Sequence, residues 1–306
     1  MPIALLGATS HIAKGLLDCW AREGGHQLYL YARSPERVAA FLQTIPACDA
    51  KLFELEAFGR HDCEVVINCI GFGSPQRLQH HIGDIFTITS CFDDRIIAYL
   101  QQHPRARYIN LSSGAALGPD FSQPATELSE ARFPANQLTT ESFYGIAKLH
   151  AEARHRALPH LAIIDLRVFG YFSRFIDPND SFLLCEITAC LRSGTPFITN
   201  ATDIVRDFGH PHDLHHLISC CLTQQHHNQV YDLYSRKPVS KFELLTFCAE
   251  HFGLQYEVQE AFVPPSVTGS KSHYYSLNHA AQRIGYQPAY SALEGVALEL
   301  EHLLMR

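Results

Sequence analysis

Tyr144 and Lys148 stand in the run Tyr144-Gly145-Ile146-Ala147-Lys148. On a helix, residues i and i+4 share a face, so the phenol and the ammonium emerge side by side. A nearby cation favours the phenolate and lowers the tyrosine pKa. Bringing a phenol from about 10 toward 7 takes roughly 4 kcal/mol of differential stabilisation, of which Lys148 can supply a part. A tyrosine so tuned can pass a proton to or from an oxygen at carbon. The spacing alone is common on amphipathic helices. Ser112 and Ser113 give it weight, because they close the run RYINLSS, which reads as a strand. Strand ends of this kind line the ligand crevice of open parallel sheets.

Two further groups point to a dinucleotide. Gly7-Ala8-Thr9-Ser10-His11-Ile12-Ala13 directly follows an apolar strand and opens a helix. Such a turn aims free backbone N–H groups and the positive helix end at a pyrophosphate. Of the three glycines expected there only the first is present, with Ser10 and Ala13 in the other places. The second group closes the next strand: Tyr31-Ala32-Arg33-Ser34-Pro35-Glu36-Arg37. An acid at that strand end would bind a ribose 2′-hydroxyl. Arg33, Ser34 and Arg37 instead form a fork of donors suited to a 2′-phosphate. The expected cofactor is NADP(H), with NAD(H) as the alternative. The oxidised nicotinamide would share with Lys148 the task of stabilising the Tyr144 phenolate.

The elements that must position these residues alternate. Strands are expected at 2–7, 27–33, 63–71, 107–113 and 162–170, and helices at 11–24, 34–45, around 90–102 and 141–158. Strand–helix alternation means right-handed crossovers and a parallel sheet. Pro35 after Ser34 fits a cap followed by a first helical position. Beyond residue 170 helices are expected at 181–194, ending at Gly194, at 213–225, and at 240–253 with a Ser240/Glu243 capping box. A short strand at 230–235 could return to the main sheet, and 262–276 reads as a loop. The fold class is α/β, a Rossmann-type doubly wound parallel sheet with a smaller C-terminal substrate-binding lobe. The dinucleotide-binding domain is expected at 1–168, joined by 208–236, and the lobe mainly at 169–306.

Composition agrees. The chain has 306 residues, 46% hydrophobic and 18% charged, with a formal net charge of −7. That balance suits one globular α/β chain and offers no basic surface for nucleic acid or anionic membrane. The absence of a long apolar run argues against a membrane span, and the first residues enter a strand with no basic leader. Most of the ten cysteines sit in apolar runs and no CxxC occurs, so a reducing cytoplasm is expected. His210, His212, His215 and His216 invite a zinc reading, yet only Asp213 stands by them, and no metal site is expected.

Together, GATSHIA, VVINCIG, NLSSGAALG, YGIAK, VRDFGHPHDL (205–214) and GYQPAYSALEGV (285–296) resemble the extended short-chain dehydrogenase/reductases, the NAD-dependent epimerase/dehydratase family that modifies nucleotide sugars. The resemblance runs over nearly the whole chain. It implies Tyr144 as acid/base, Lys148 as its tuner and nicotinamide-ribose ligand, and Ser113 as the catalytic serine holding the reacting oxygen. It places Gly7, Thr9, Ser10, His11, Ile12, Arg33, Ser34, Arg37, Glu54, Leu55, Cys69, Ile70, Gly71 and Leu111 along the cofactor, and Val168 and Phe169 against the nicotinamide. Arg206 matches an arginine that grips a substrate diphosphate, a task suited to guanidinium, and Asp207 is structural. Dehydratases of the family carry an acidic pair where this chain has Gly114 and Ala115. Without it, neither the C5 proton nor the departing hydroxyl has a handler. An asparagine common after the sixth strand is here Gly170.

The leading expectation is an NADP-dependent reductase of a nucleotide-linked keto-sugar. The alternatives are a nucleotide-sugar C4 epimerase with retained cofactor, a reductase of a small non-nucleotide carbonyl compound, and a non-catalytic dinucleotide sensor. The resemblance also implies a homodimer through the helices near 90–102 and 141–158. Phe92, Ile96, Ile97 and Leu100 form one stripe on the first of these. Ile146, Leu149, Ala153 and Leu158 on the second could face the sheet or a partner.

Overall fold

The computed structural model describes all residues except 72–81, 225–226, 261–270 and 306, and the side chain of 141. Its centre is a seven-stranded, all-parallel sheet in the order β3-β2-β1-β4-β5-β6-β9. The strands are β1 (Pro2–Leu6), β2 (Gln27–Ala32), β3 (Asp49–Glu54), β4 (Val65–Asn68), β5 (Arg107–Ser113), β6 (Ala162–Val168) and β9 (Gln229–Leu233). The strand order reverses beside β1, between β2 and β4. That switch point is where open α/β sheets hold their ligands.

Helices cover both faces. On one lie α1 (His11–Glu23), α2 (Pro35–Leu42) and α6 (Pro211–Thr223), sharing a core with Leu5, Leu30, Ile67 and Leu166. On the other lie α3 (Ile85–Gln102) and α4 (Thr140–Arg156). Ile96, Ile97 and Leu100 of α3, with Phe92 at the margin, pack with Leu6, Val66 and Tyr108 of the sheet. This corrects the reading of that stripe as a partner surface, since it is the inner face of α3. The outer surface instead carries Phe86 of α3, and on α4 the half-buried Ile146 and Leu149 with the exposed Ala153.

A second core is built by α5 (Leu183–Ser193), α7 (Lys241–Phe252) and α8 (Ala292–Leu304), with Phe172, Phe197 and Val239 among its residues. Two small sheets accompany it: β7 (Phe197–Thr199) with β11 (Tyr256–Val258), and β10 (Val239–Ser240), β8 (Val205–Arg206) and β12 (His273–Tyr274). Local chemistry follows the expected rules at several ends. Ser240 and Glu243 form a reciprocal capping box, and Gly194 ends α5 in the left-handed region. Ser34 takes the cap position of α2 without a side-chain capping bond. Two expectations need correction. β3 was not foreseen, being an edge strand whose side chains alternate between exposed and half-buried. The segment read as a loop over 262–276 contains β12; its residues 262–270 lie outside the described residues.

Candidate active site

The phosphate turn is shaped by backbone crowding. Gly7 has φ of 75°, and its N–H donates to the Tyr31 carbonyl at 3.0 Å. A Cβ there would stand 2.8 Å from the carbonyl carbon and oxygen of Cys69 at the end of β4. Only glycine meets both constraints. Ser10 caps α1, its Oγ accepting from the Ala13 N–H at 3.2 Å. The N–H groups of His11 and Ile12, in the first turn, lie beyond the reach of intrahelical acceptors. This is a cradle for an anion, and a pyrophosphate fits its donors. His11 packs at 4.9 Å from the Tyr171 ring, and burial with nearby Lys14 pulls its imidazole down to about 4, so it is neutral there.

Arg33 and Arg37 are exposed and Ser34 half-buried at the end of β2. Neither arginine makes an ion pair among the described residues. Lys14 of α1 lies close enough to Arg37 to feel its charge; burial first, and Arg37 second, lower the Lys14 pKa. Asp177 acts on Lys14 in the opposite sense, so Arg33 and Arg37 are the exposed cations this end of β2 offers to an anion. Glu54 is exposed at the end of β3, Leu55 is buried, and Ile70 and Gly71 follow the buried Cys69 out of β4.

Tyr144 and Lys148 occupy the first half of α4. Lys148 is only 8% exposed, and its Nζ donates to the Leu111 carbonyl of β5 at 2.8 Å. The same Nζ lies 5.9 Å from the centre of the Tyr144 ring. Leu111 leads into Ser112 and Ser113, whose side chains alternate along the strand. Ser112 Oγ donates to Glu152 Oε1 at 2.5 Å. Glu152 is in turn held by Arg167 through contacts of 3.0 and 2.6 Å. Ser112 is thereby consumed as a scaffold contact. Ser113 Oγ instead accepts from the Ala115 N–H at 3.2 Å and meets Tyr274 Oη at 3.1 Å.

Phe169 is buried in a cluster with Leu117 and Phe121, its ring 5.3 Å from that of Tyr274. A Cβ at Gly114 would approach the Phe169 ring to 2.4 Å. No acidic side chain could be accommodated there without moving an aromatic packed on both sides. Arg206, register partner of Tyr274 on β12, is half-buried and donates to its neighbouring Val205 carbonyl. Burial pulls its guanidinium down to about 10, and no carboxylate neutralises it among the described residues. Asp207 Oδ2 accepts from the Ser235 N–H at 2.9 Å, a structural contact.

The four clustered histidines go separate ways. His210 pairs with Glu299, His212 with Asp213 and His215 with Glu23, while His216 meets Cys220. Among the described residues no group of three candidate ligands could hold a metal ion. No helix there is long and apolar enough to cross a membrane.

The family model of the NAD dependent epimerase/dehydratase family matches residues 3–234. The chain belongs to this family. Its fold is shared by UDP-glucose 4-epimerase from Thermotoga maritima, solved with UDP-glucose, at a TM-score of 0.80 and 17% identity over 99% of this chain and 98% of that one. A variant of UDP-glucuronic acid 4-epimerase from Bacillus cereus, solved with NAD and a fluorinated UDP-sugar, gives 0.81 and 15% over 100% and 99%. The Thermus thermophilus UDP-glucose 4-epimerase, solved with NAD, gives 0.77 and 17% over 99% of each chain. No curated protein matches the sequence.

Sequence reasoning passed over four members of this constellation. Glu152 and His155 lie on the same face of α4 as Tyr144 and Lys148, and helical periodicity could have linked them. Lys14 is one turn into α1. Tyr274 sits in a stretch too short and too close to prolines to read as a strand, and no spacing signal points to it.

Proposed function

We propose that the protein is an NADP-dependent reductase of a nucleotide-linked keto-sugar, with Tyr144 as proton donor. The observation that carries this reading is the buried Lys148 ammonium beside Tyr144, bonded to the carbonyl of Leu111 two residues before Ser113. An ammonium has three donors. One is used here, which leaves others for a ribose hydroxyl.

The residues of the turn after β1 would hold the pyrophosphate, Arg33, Ser34 and Arg37 the 2′-phosphate, and Val168 and Phe169 the nicotinamide end. The nicotinamide supplies or removes hydride when bound. The chain does the rest. Tyr144 Oη gives its proton to the substrate oxygen as the carbonyl becomes an alcohol, and takes it back in the reverse direction. Lys148 favours the phenolate left behind. Ser113 donates a hydrogen bond to the same oxygen, and Arg206 pairs with the diphosphate. Gly114, closed in by Phe169, supplies no second acid, so water elimination is not part of the reading.

A C4 epimerase with retained NAD(P) is the second reading, favoured by the UDP-sugar epimerases that share the fold. We also propose a homodimer through the outer faces of α3 and α4, and a cytoplasmic site of action. The test uses the full chain with NADPH and nucleotide-linked 4-keto-6-deoxy sugars, and in parallel with NAD and UDP-glucose or UDP-glucuronic acid. Stoichiometric NADPH consumption supports the reductase; interconversion of the UDP-sugars without net cofactor change supports the epimerase. Either activity should vanish in Tyr144→Phe. Turnover surviving in that variant overturns the assignment of the acid.

A further inference from the structure

Ser113 has a second hydroxyl against it, contributed by the far end of the chain. Tyr274 Oη lies 3.1 Å from Ser113 Oγ. The strand that carries Tyr274 is fastened on several sides. The Val205 N–H donates to the Ser272 carbonyl at 2.7 Å, and the His273 N–H to the Phe121 carbonyl at 2.8 Å. The Ala125 N–H donates to the Tyr275 carbonyl at 2.9 Å, and Ser276 Oγ donates to the buried Asp232 Oδ2 at 2.6 Å. The Tyr274 ring is held by Phe121 at 4.7 Å and Phe169 at 5.3 Å, with Lys271 Nζ 4.3 Å from its centre. This is a built position rather than a loose contact.

The direction of the hydrogen bond follows from what surrounds the phenol. Burial favours its neutral form. Of the other polar side chains beside it, Arg206 and Lys271 are donors only, while the Tyr144 phenol can donate or accept. Among the described residues the side-chain acceptor within hydrogen-bond distance of the phenolic proton is Ser113 Oγ, at 3.1 Å. That oxygen already takes the Ala115 N–H. A serine hydroxyl has two lone pairs and one proton. With both lone pairs engaged, its proton alone is left to point into the crevice.

Resting on the functional reading above, we infer that Tyr274 is a positioning residue that fixes the Ser113 hydroxyl as a donor aimed at the reacting oxygen of the substrate. Tyr274 acts through Ser113 and moves no proton of its own in the reaction. The arrangement also makes the site incomplete until the C-terminal segment is docked, since one of the two groups that set the serine comes from β12.

The experiment is a double-mutant cycle on whichever nucleotide sugar of the panel above turns over fastest. Tyr274→Phe keeps the ring and removes the hydroxyl. It should lower kcat about tenfold, the size of one hydrogen bond made in the transition state, with KM moving less than about twofold. Ser113→Ala together with Tyr274→Phe should be no slower than Ser113→Ala alone, because the tyrosine works only through the serine. The pH profile of kcat/KM should keep the acid limb of the wild type. An unchanged rate in Tyr274→Phe, additive losses, or a shifted acid limb each overturn the inference. Should Tyr274→Phe not fold, the wild-type chain labelled with carbon-13 at tyrosine Cζ decides. Ser113→Ala should shift one resonance besides that of Tyr144, identified by its loss in Tyr144→Phe, and no such shift overturns the contact. Activity surviving in Tyr144→Phe, or no turnover on any panel member, brings down the functional reading and this inference with it. A dead Tyr144→Phe beside an unaffected Tyr274→Phe brings down the inference alone.

Discussion

His155 should make the stability of this protein fall as pH rises above neutrality, and its replacement should remove that dependence. The residue is completely buried, at the end of α4 opposite Tyr144. Its Nε2 lies 2.7 Å from Asp93 Oδ1 of α3, and its Nδ1 lies 2.9 Å from Asp165 Oδ1 of β6. Burial pulls the imidazole pKa down, but the hydrogen bonds and charges of Asp165 and Asp93 outweigh it and push the value up to about 9. An unfolded histidine titrates near 6.5. The folded value is the higher one, so the stabilisation is fully present below about 6.5 and is lost as pH climbs through about 9. At 1.36 kcal/mol per unit, the difference is on the order of 3 kcal/mol. His155→Gln keeps a donor but no charge. It leaves Asp93 and Asp165 with Arg154 and Arg156 as their remaining cationic partners, at a cost of about 3 kcal/mol at pH 6.5. Urea unfolding of both proteins from pH 6 to pH 9.5 is the assay. The gap between them should close by about 3 kcal/mol over that range. Cysteines and tyrosines that also titrate at high pH are common to both proteins and cancel. A gap that does not change with pH would refute the account of His155 as a buried cation.

Gly114→Ala should destabilise the fold by about 1–3 kcal/mol, because its Cβ meets a Phe169 ring that Phe121 and Tyr274 hold in place; thermal melting checks this, and Phe169→Leu in the same chain should recover part of the loss. Arg33→Ala should weaken NADPH binding by about 1.5–3 kcal/mol and leave NADH nearly unchanged, as read by fluorescence titration; equal losses would assign Arg33 to holding the turn. Ile146→Glu, on the outer face of α4, should convert the proposed dimer to monomers by light scattering, since an isologous interface meets each charge twice; a wild-type chain that is already monomeric at micromolar concentration removes the assembly proposal.

What could be read in the sequence divides along physical lines. β1 and β4 announce themselves because central parallel strands are buried on both faces and read as nearly continuous apolar runs, and β5 and β6 keep apolar residues on either side of Asn110 and Asp165. β3 does not, because Asp49, Lys51 and Glu54 interrupt it at the sheet edge, where exposure is tolerated. Tyr144 and Lys148 were legible from spacing on a single helix. Ser113 rather than Ser112 came from the family resemblance alone, because the contact that occupies the Ser112 hydroxyl, with Glu152 40 residues away in the chain, leaves no local pattern. The Phe92–Leu100 stripe shows the converse limit. Periodicity identifies an apolar face but not what it covers, and here the face covers the sheet. Tyr274 was out of reach because its role arises from a contact with a residue 161 positions away in the chain.

The polar face of α4 shows how one helix can serve both as scaffold and as reagent. Tyr144, Lys148, Glu152 and His155 follow one another at helical spacing along it. Glu152 and His155 are saturated, the first by Ser112 and Arg167, the second by Asp93 and Asp165. Buried polar groups satisfied in this way anchor the helix to the sheet and fix its rotation about its own axis. Lys148 is also buried but, among the described residues, is hydrogen-bonded to the Leu111 carbonyl alone. A buried cation with spare donors costs free energy in the protein by itself. It is tolerated where a ligand completes it. The difference in saturation between the two halves of the helix therefore separates the part that holds the structure from the part that, in the proposed function, meets substrate and cofactor. The anchoring half keeps the register of the reactive half within the narrow tolerance that proton transfer requires.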